Sequence, residues 1–181
     1  VIENGSIQAP ETAYWWAAQL LVRAGYVVMT FDPRGQGRSD LQTPNLGQGG
    51  NINANVFVTG LVNAIDFFRS DPSTPYSWNE TCSGTYPTPV NANNPLHDRI
   101  DPDRLGITGH SAGAIGVSTV AGLGAAGAEP WPGLQDAENP VDALVAWDPL
   151  VSGSTPLLAG QFAVPRVPGL GLTGDYISAD D

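Results

Sequence analysis

A serine between two glycines, at the end of an apolar strand-like segment, is the feature of this sequence that best fits enzyme chemistry. Ser111 lies in GHSAG, with Gly109 two residues before it and Gly113 two residues after it. At a tight strand-to-helix turn these two flanking positions come so close that side chains would collide, and glycine removes the collision. The pattern predicts that the Ser111 hydroxyl projects above the carboxyl edge of a sheet, where it could act as a nucleophile.

Such a nucleophile needs donors for the negative charge that forms on the attacked carbonyl oxygen. The backbone N–H of Ala112, at the start of the predicted helix, would be aimed at that oxygen, and the helix dipole would strengthen the interaction. A serine hydroxyl also needs a base, usually a histidine that a carboxylate orients. The chain has only His97 and His110. We expect His110 to be structural and to point away from the hydroxyl. His97, in the segment LHDRIDP, is predicted to be a solvated surface residue, with a loop that folds back over the site as the alternative.

The segments that must position Ser111 alternate between short apolar strands and amphipathic helices. The first helix begins after Pro10 and ends at Gly25, as expected from the conformational preferences of these residues. Strands are predicted at residues 1–2, 25–32, 104–108, 141–148 and 167–173, and helices at residues 11–24, 55–69 and 112–123. The continuous apolar run in residues 25–32 is typical of a strand buried on both faces of a parallel sheet. This order predicts an α/β fold: a doubly wound, mostly parallel sheet with helices on both faces.

One region does not fit the alternation. Residues 70–102 are rich in Pro, Asn, Ser and Thr, and their apolar positions show no period. We predict an irregular insertion over the core there. The length of 181 residues is sufficient for one domain with a substantial core, so a single domain over residues 1–181 is expected.

The charge and composition of the chain argue against some classes of binding partner. The formal net charge is −11 and all seven basic residues are arginines. A net anion is not attracted to phosphate backbones or to acidic lipids, which argues against nucleic acid and anionic membranes as partners. No apolar run approaches the roughly 18 to 20 residues of a membrane span, so stable insertion is not expected. The single cysteine, Cys82, cannot form an internal disulfide. The acidic composition and scarce cysteine favour a secreted or periplasmic location, with the cytoplasm as the alternative.

Three motifs in order resemble the α/β-hydrolase superfamily, and in particular its esterase and lipase branch. They are VIENGS at residues 1–6, GYVVMTFDPRGQGRSD at residues 25–40 and DPDRLGITGHSAGA at residues 101–114. The middle motif is similar to the family's DxRGxGxSD turn, with Asp32, Arg34, Gly35, Gly37, Ser39 and Asp40 in step. For Asp32 and Arg34 we predict a structural role, in which hydrogen bonds fix the turn. The likeness extends over the whole chain.

The resemblance implies a nucleophile and an oxyanion hole. It makes Ser111 the nucleophile of a nucleophile elbow, with the N–H of Ala112 as one oxyanion donor. Asn4 and Gly5 stand where relatives carry His-Gly, which makes the N–H of Ser6 the second donor.

The resemblance also implies a triad acid and a histidine, in the chain order Ser, acid, His. It places the acid at Asp175, with Asp180 and Asp181 close behind, and at Asp148 in some relatives. Neither histidine of this chain follows the acid. We therefore expect a partial chain that lacks N- and C-terminal parts of the fold, with the histidine beyond these residues or in a second chain or segment.

The function implied by the resemblance is hydrolysis of a carboxylic ester through an acyl-enzyme, without a metal or an organic cofactor. The expected substrate is a small-molecule or lipid-like ester. Trp15, Trp16, Trp78 and Tyr86 are compatible with an apolar or aromatic acyl group, although helix packing also explains the first two. A peptidase, a thioesterase or an acyltransferase of the same fold is an alternative. So is a catalytically inactive hydrolase-like binding domain, which the missing histidine favours.

Overall fold

The structure is a computed structural model that describes residues 1–6, 10–39, 55–76, 91–148, 150 and 164–173. Several residues named above lie outside the described residues: Asp40, Trp78, Cys82, Tyr86, Asp175, Asp180 and Asp181. The central part of the predicted insertion, residues 77–90, also lies outside them.

A five-stranded parallel sheet forms the centre of the described structure. Its strands are β1 (Ile2–Glu3), β2 (Thr30–Phe31), β3 (Gly106–His110), β4 (Ala143–Trp147) and β5 (Gly169–Leu172). They lie in the order β2-β1-β3-β4-β5, and every neighbouring pair is parallel. The helices are α1 (Trp15–Arg23), α2 (Asn55–Arg69) and α3 (Ala112–Val120), and short 3-10 turns occur at Glu11–Tyr14 and His97–Arg99. The predicted α/β class with a parallel sheet is confirmed, and α2 has the predicted bounds.

Helices cover both faces of this sheet. Successive residues of a strand point to opposite faces, and Val1 and Ile2 accordingly belong to different hydrophobic clusters. The larger cluster lies between the sheet and α2 and α3, and it includes Leu61 and Val117. The smaller cluster joins Ile2 to the face of α1 at Ala17. None of the described helices combines the length and the apolar character that a membrane span requires.

All five observed strands differ in their bounds from the predicted ones. The strand predicted at residues 25–32 is reduced to Thr30–Phe31, and it is half-buried rather than fully buried. In the described sheet it is an edge strand that pairs with β1 alone. The strand predicted at residues 104–108 begins at Gly106, because Arg104 N–H still donates to Asp101 O in a turn. A continuous apolar run predicts a strand but not its place in the sheet.

The bounds of the helix after Ser111 and of the first helix also differ from the predicted ones. The helix α3 ends at Val120 rather than at residue 123, and Gly124 follows with a left-handed φ of 82°. The first helix opens as a 3-10 turn at Glu11–Tyr14 before it becomes α-helical.

Hydrogen bonds and an ion pair attach the C-terminal end of α2 to the segments around it. Arg69 forms a bidentate ion pair with Asp136, with nitrogen–oxygen distances of 2.6 and 2.7 Å. Its side chain also donates to Pro102 O at 2.7 Å. One turn earlier, Asp66 accepts the backbone N–H of Leu134 at 3.0 Å, and burial raises the pKa of its carboxyl. Because α2 leads from the carboxyl end of β2 to the amino end of β3, these contacts lie at the amino edge of the sheet.

Candidate functional site

Ser111 has a backbone conformation that residues with side chains seldom adopt. Its φ is 54° and its ψ is −117°, close to the first central position of a type II′ turn, where glycine dominates. Its N–H donates to Trp147 O at 2.9 Å, which continues the pairing of β3 with β4, and its C=O already accepts Ile115 N–H at 3.2 Å in α3. The chain therefore changes from strand to helix within one residue, and the strained residue carries a hydroxyl.

The two glycines around Ser111 are needed for steric reasons. A Cβ at Gly109 would overlap the carbonyl oxygen of Gly113 and would lie 2.5 Å from its carbonyl carbon. A Cβ at Gly113 would overlap the carbonyl oxygen of Asn4 and would lie 2.9 Å from that of Glu3. The close contact at Gly109 is the one that the glycine spacing predicts, whereas the contact at Gly113 is with the segment at the end of β1.

The position of Ser111 in the sheet favours a binding crevice. The connection after β1 runs through α1 to β2 on one side, whereas the connection after β3 runs through α3 to β4 on the other side. Where adjacent parallel strands send their connections in opposite directions, a crevice opens at their carboxyl ends, and ligands bind there. Ser111 lies at this switch point, between β1 and β3.

The segment after β1 lies directly beside the elbow. Glu3, the last residue of β1, pairs with Gly109 near the end of β3, so the residues after Glu3 leave the sheet beside His110. A Cβ on Gly5 would lie 3.3 Å from the carbonyl oxygen of His110. The N–H groups of Ser6 and Ala112 donate to no acceptor among the described residues. The structure therefore brings the two segments that carry the predicted oxyanion donors together.

A tyrosine that the sequence reasoning missed connects these two segments. The hydroxyl oxygen of Tyr14 accepts the N–H of Gly5 at 2.9 Å and lies 2.8 Å from Nδ1 of His110. While its oxygen accepts from Gly5, the hydroxyl can donate its proton to His110 Nδ1 when the imidazole proton is on Nε2, and its second lone pair can accept from Nδ1 in the other tautomer. Burial raises the pKa of the Tyr14 hydroxyl, although the Gly5 hydrogen bond opposes the shift, so the hydroxyl stays protonated. Nδ1 of His110 is therefore hydrogen-bonded to Tyr14, in agreement with the structural role predicted for His110.

Two tryptophan rings form a stack with Tyr14 that extends towards the surface. The ring of Trp147 stacks on Tyr14 with centroids 6.2 Å apart and on Trp16 with centroids 5.6 Å apart. Trp16 is 58% exposed, so its outer surface faces solvent in the described structure. Trp15 is half exposed, and its indole N–H donates to Glu11. The two tryptophans of α1 thus combine packing contacts with exposed apolar surface.

His97 is not placed to deprotonate Ser111. His97 lies in the 3-10 turn His97–Arg99, where its Nδ1 is 3.1 Å from Asn94 O. The Asn94 side chain in turn donates to Phe68 O near the end of α2, at the amino edge of the sheet. Ser111 lies at the opposite edge, and the five residues of β3 separate the edges by about 16 Å. The alternative in which the His97 loop folds over the site is therefore wrong for this structure.

Among the acids implied by the resemblance, Asp148 lies at the same edge as Ser111. It directly follows Trp147, whose carbonyl accepts the Ser111 N–H, and its own N–H donates to Leu172 O at 2.7 Å. Its φ of 50° is a second left-handed value at a residue other than glycine in this site. Strained backbone of this kind clusters at functional sites. Asp175, Asp180 and Asp181 lie outside the described residues.

The turn after β2 is fixed by Asp32, as predicted. Its carboxylate accepts the N–H of Glu11 at 2.6 Å and that of Arg38 at 3.1 Å. A Cβ at Gly37, whose φ is 50°, would overlap this carboxylate. The buried Glu11 adds an ion pair of 2.9 Å to the Arg38 side chain, which sequence reasoning did not identify. Asp32 and Glu11 thus hold the turn against the helix that carries Tyr14.

Glu3 is a second residue that the sequence reasoning missed. It is fully buried in β1, and neither carboxyl oxygen has a hydrogen-bond partner among the described residues. Its side chain fills the space left by two glycines of α3: its Cγ is 3.1 Å from a Cβ placed on Gly113, and Oε2 would overlap one placed on Gly116. Burial raises the pKa of this carboxyl well above its usual value. Burial beneath the first turns of α3 therefore favours the protonated form of Glu3.

We expect the Glu3→Gln variant to be more stable than the parent protein at neutral pH and equally stable near pH 4. Below the unfolded-state value of 4.5, both states hold the proton. As the pH rises, the unfolded state loses the proton first, so the free energy of unfolding falls by about 1.4 kcal/mol per pH unit until the folded pKa is reached. Glutamine removes this slope. Urea unfolding between pH 4 and pH 8 measures it, with exposed Glu138→Gln as the control. An unchanged slope in Glu3→Gln would contradict the assignment.

Comparison of the chain with protein-family models, curated protein sequences and solved structures found no significant match. The described residues contain no group of three or more His, Cys, Asp or Glu side chains that could hold a metal ion. Inferences about function therefore depend on the geometry around Ser111.

Proposed function

We propose that this chain has the α/β-hydrolase fold and is a serine hydrolase that cleaves a carboxylic ester through an acyl-enzyme. The observation that carries the proposal is the backbone of Ser111: a hydroxyl-bearing residue held in a glycine-type conformation, at the switch point of a parallel sheet. Backbone strain of this kind persists only where the surrounding structure imposes it. A nucleophilic side chain that must project from a sharp turn would explain why this strained conformation is retained.

The proposed chemistry has two steps. The Ser111 hydroxyl attacks the ester carbonyl while an imidazole takes its proton, and the N–H groups of Ala112 and Ser6 bind the oxyanion. The same imidazole then gives the proton to the leaving alcohol, and water releases the acid from the acyl-enzyme. Because His97 lies at the opposite edge of the sheet and Nδ1 of His110 is hydrogen-bonded to Tyr14, we propose that the imidazole comes from outside these 181 residues. Asp175 is the proposed acid that orients it, and Asp148 is the alternative.

A second candidate function is a hydrolase-like domain that binds rather than catalyses. The position of His97 at the far edge of the sheet and the engagement of His110 with Tyr14 favour this candidate. A peptidase, a thioesterase or an acyltransferase would use the same elbow, so the elbow does not separate these activities from an esterase.

Labelling with a fluorophosphonate tests the proposal, because only an activated serine reacts with it at an appreciable rate. We expect the native protein to be labelled on Ser111, as mapped by peptide mass spectrometry. The recombinant 181-residue chain should be labelled far more slowly, because it lacks the imidazole. Ser73→Ala, at an exposed serine, is the control and should label normally. An unlabelled native protein would favour the binding domain. Rates with nitrophenyl esters, thioesters and peptide amides then identify the substrate class.

A further inference from the structure

We propose that Tyr14 is a positioning residue whose hydroxyl sets the spacing between the two halves of the oxyanion hole. The inference rests on the proposed function, because it concerns the N–H groups of Ser6 and Ala112. It assigns to Tyr14 a role that no pattern in the sequence indicates.

The hydroxyl of Tyr14 contacts both segments that carry an oxyanion donor. It accepts the N–H of Gly5, the residue immediately before Ser6, at 2.9 Å. It lies 2.8 Å from Nδ1 of His110, two residues before Ala112. One hydroxyl group therefore connects the segment after β1 to the last residue of β3. Without it, the Gly5 N–H and the His110 Nδ1 would both lose their partner.

The ring that carries this hydroxyl is itself held in place. Tyr14 is only 8% exposed, and it packs in the smaller hydrophobic cluster with Ile2 and Ala17. The ring also stacks on Trp147 with centroids 6.2 Å apart. The 3-10 turn that ends at Tyr14 begins at Glu11, whose N–H is bound by Asp32 at 2.6 Å. The hydroxyl is therefore a fixed point, and the two segments are positioned relative to it.

Precise spacing matters for an oxyanion hole. Both donors must lie about 2.7 to 3.1 Å from the oxygen of the tetrahedral intermediate, and catalytic groups must be held to within about 0.5 Å of the productive geometry. Ser6 follows β1 and Ala112 begins α3, so local chain geometry does not determine the distance between their N–H groups. A bridge between their neighbours supplies that constraint directly.

The Tyr14→Phe variant tests the proposal because it removes the hydroxyl and keeps the ring. In the native protein we expect kcat for ester hydrolysis to fall by about 10- to 100-fold, as for a misplacement on the order of 1 Å, with KM changed by less than about threefold. The matched control is Tyr26→Phe, whose side chain is 63% exposed; it should change neither parameter.

Two structural readouts accompany the kinetics. Hydrogen exchange of the Gly5 amide should accelerate at least tenfold in Tyr14→Phe, because the amide loses its acceptor. The ¹⁵N shift of His110 Nδ1 should also change, because this nitrogen loses its hydrogen-bond partner. Neither readout depends on catalysis. If wild-type Ser111 is not labelled by fluorophosphonate, the proposed function fails while these two readouts still report whether the bridge exists.

A second pair of variants covers the case in which Tyr14→Phe does not fold. His110→Ala should lower kcat in the same way, whereas His110→Asn, which retains a hydrogen-bonding atom near the position of Nδ1, should restore most of it. The double variant Tyr14→Phe/His110→Ala should lose no more than either single variant. A normal kcat in folded Tyr14→Phe, or a normal kcat in His110→Ala, would overturn the proposal.

Discussion

Ser111→Gly is expected to be more stable than the parent protein by about 1 kcal/mol while it loses at least about 1000-fold in kcat. The two effects have one origin. The φ of 54° and ψ of −117° at Ser111 suit glycine, so the substitution relieves strain of about 1 to 3 kcal/mol. The greater freedom of glycine in the unfolded chain offsets about 0.5 to 1 kcal/mol of this gain.

The control for this prediction is Ser111→Ala. Alanine removes the same hydroxyl but retains the Cβ, so it should abolish activity without the gain in stability. The measurements are the urea unfolding midpoint of each variant and the rates of ester hydrolysis and of fluorophosphonate labelling. If both variants had the stability of the parent protein, the conformation of Ser111 would not be strained, and the main support for a functional elbow would be lost.

Gly109→Ala is expected to lower the free energy of unfolding by about 3 kcal/mol and to abolish labelling of Ser111. The new Cβ would overlap the carbonyl oxygen of Gly113 and would lie 3.1 Å from the backbone nitrogen of Ala114. Both atoms belong to the backbone of α3, so no side-chain rotation can relieve the overlap. The first turn of α3 would have to move away from β3, and the Ala112 N–H would move with it.

The same strand offers a matched control in Gly106→Ala. A Cβ at Gly106 has the carbonyl oxygen of Ala143 as its nearest neighbour, at 4.0 Å, so we expect a change of less than about 0.5 kcal/mol and normal labelling. Chemical unfolding of the two variants measures the difference. Equal stabilities of Gly109→Ala and Gly106→Ala would show that the two sides of the elbow are not in close contact.

The elbow illustrates which parts of the site can be predicted from sequence. The contact of Gly109 with Gly113 lies within five residues, so the pentapeptide predicts both the turn and its position between a strand and a helix. The same applies to α2, whose apolar period predicts its bounds at Asn55 and Arg69. The turn at Asp32 was likewise predictable from its local glycines. The contact of Gly113 with the carbonyl oxygens of Asn4 and Glu3, by contrast, exists only because β1 pairs with β3.

Other features depend on which segments the fold brings together. Tyr14 and His110 are in contact although 96 positions separate them in the sequence. The nine positions between Gly5 and Tyr14 match the spacing of neither a turn nor a helix cap. Glu3 stands in a strand segment where a polar residue would ordinarily face solvent, and only the packing of α3 over β1 buries it.

What the sequence alone determined is the set of local conformations: the elbow at Ser111, the helix at residues 55–69, and the alternation of strands and helices that defines an α/β chain. The tertiary structure decided the order of the strands, the edge position of β2, the bridge through Tyr14 and the distance that separates His97 from Ser111. The physical reason is the difference in sequence range between the two kinds of interaction. Backbone preferences and apolar periods act over a few residues, whereas contacts between strand ends arise only when the parallel sheet has formed.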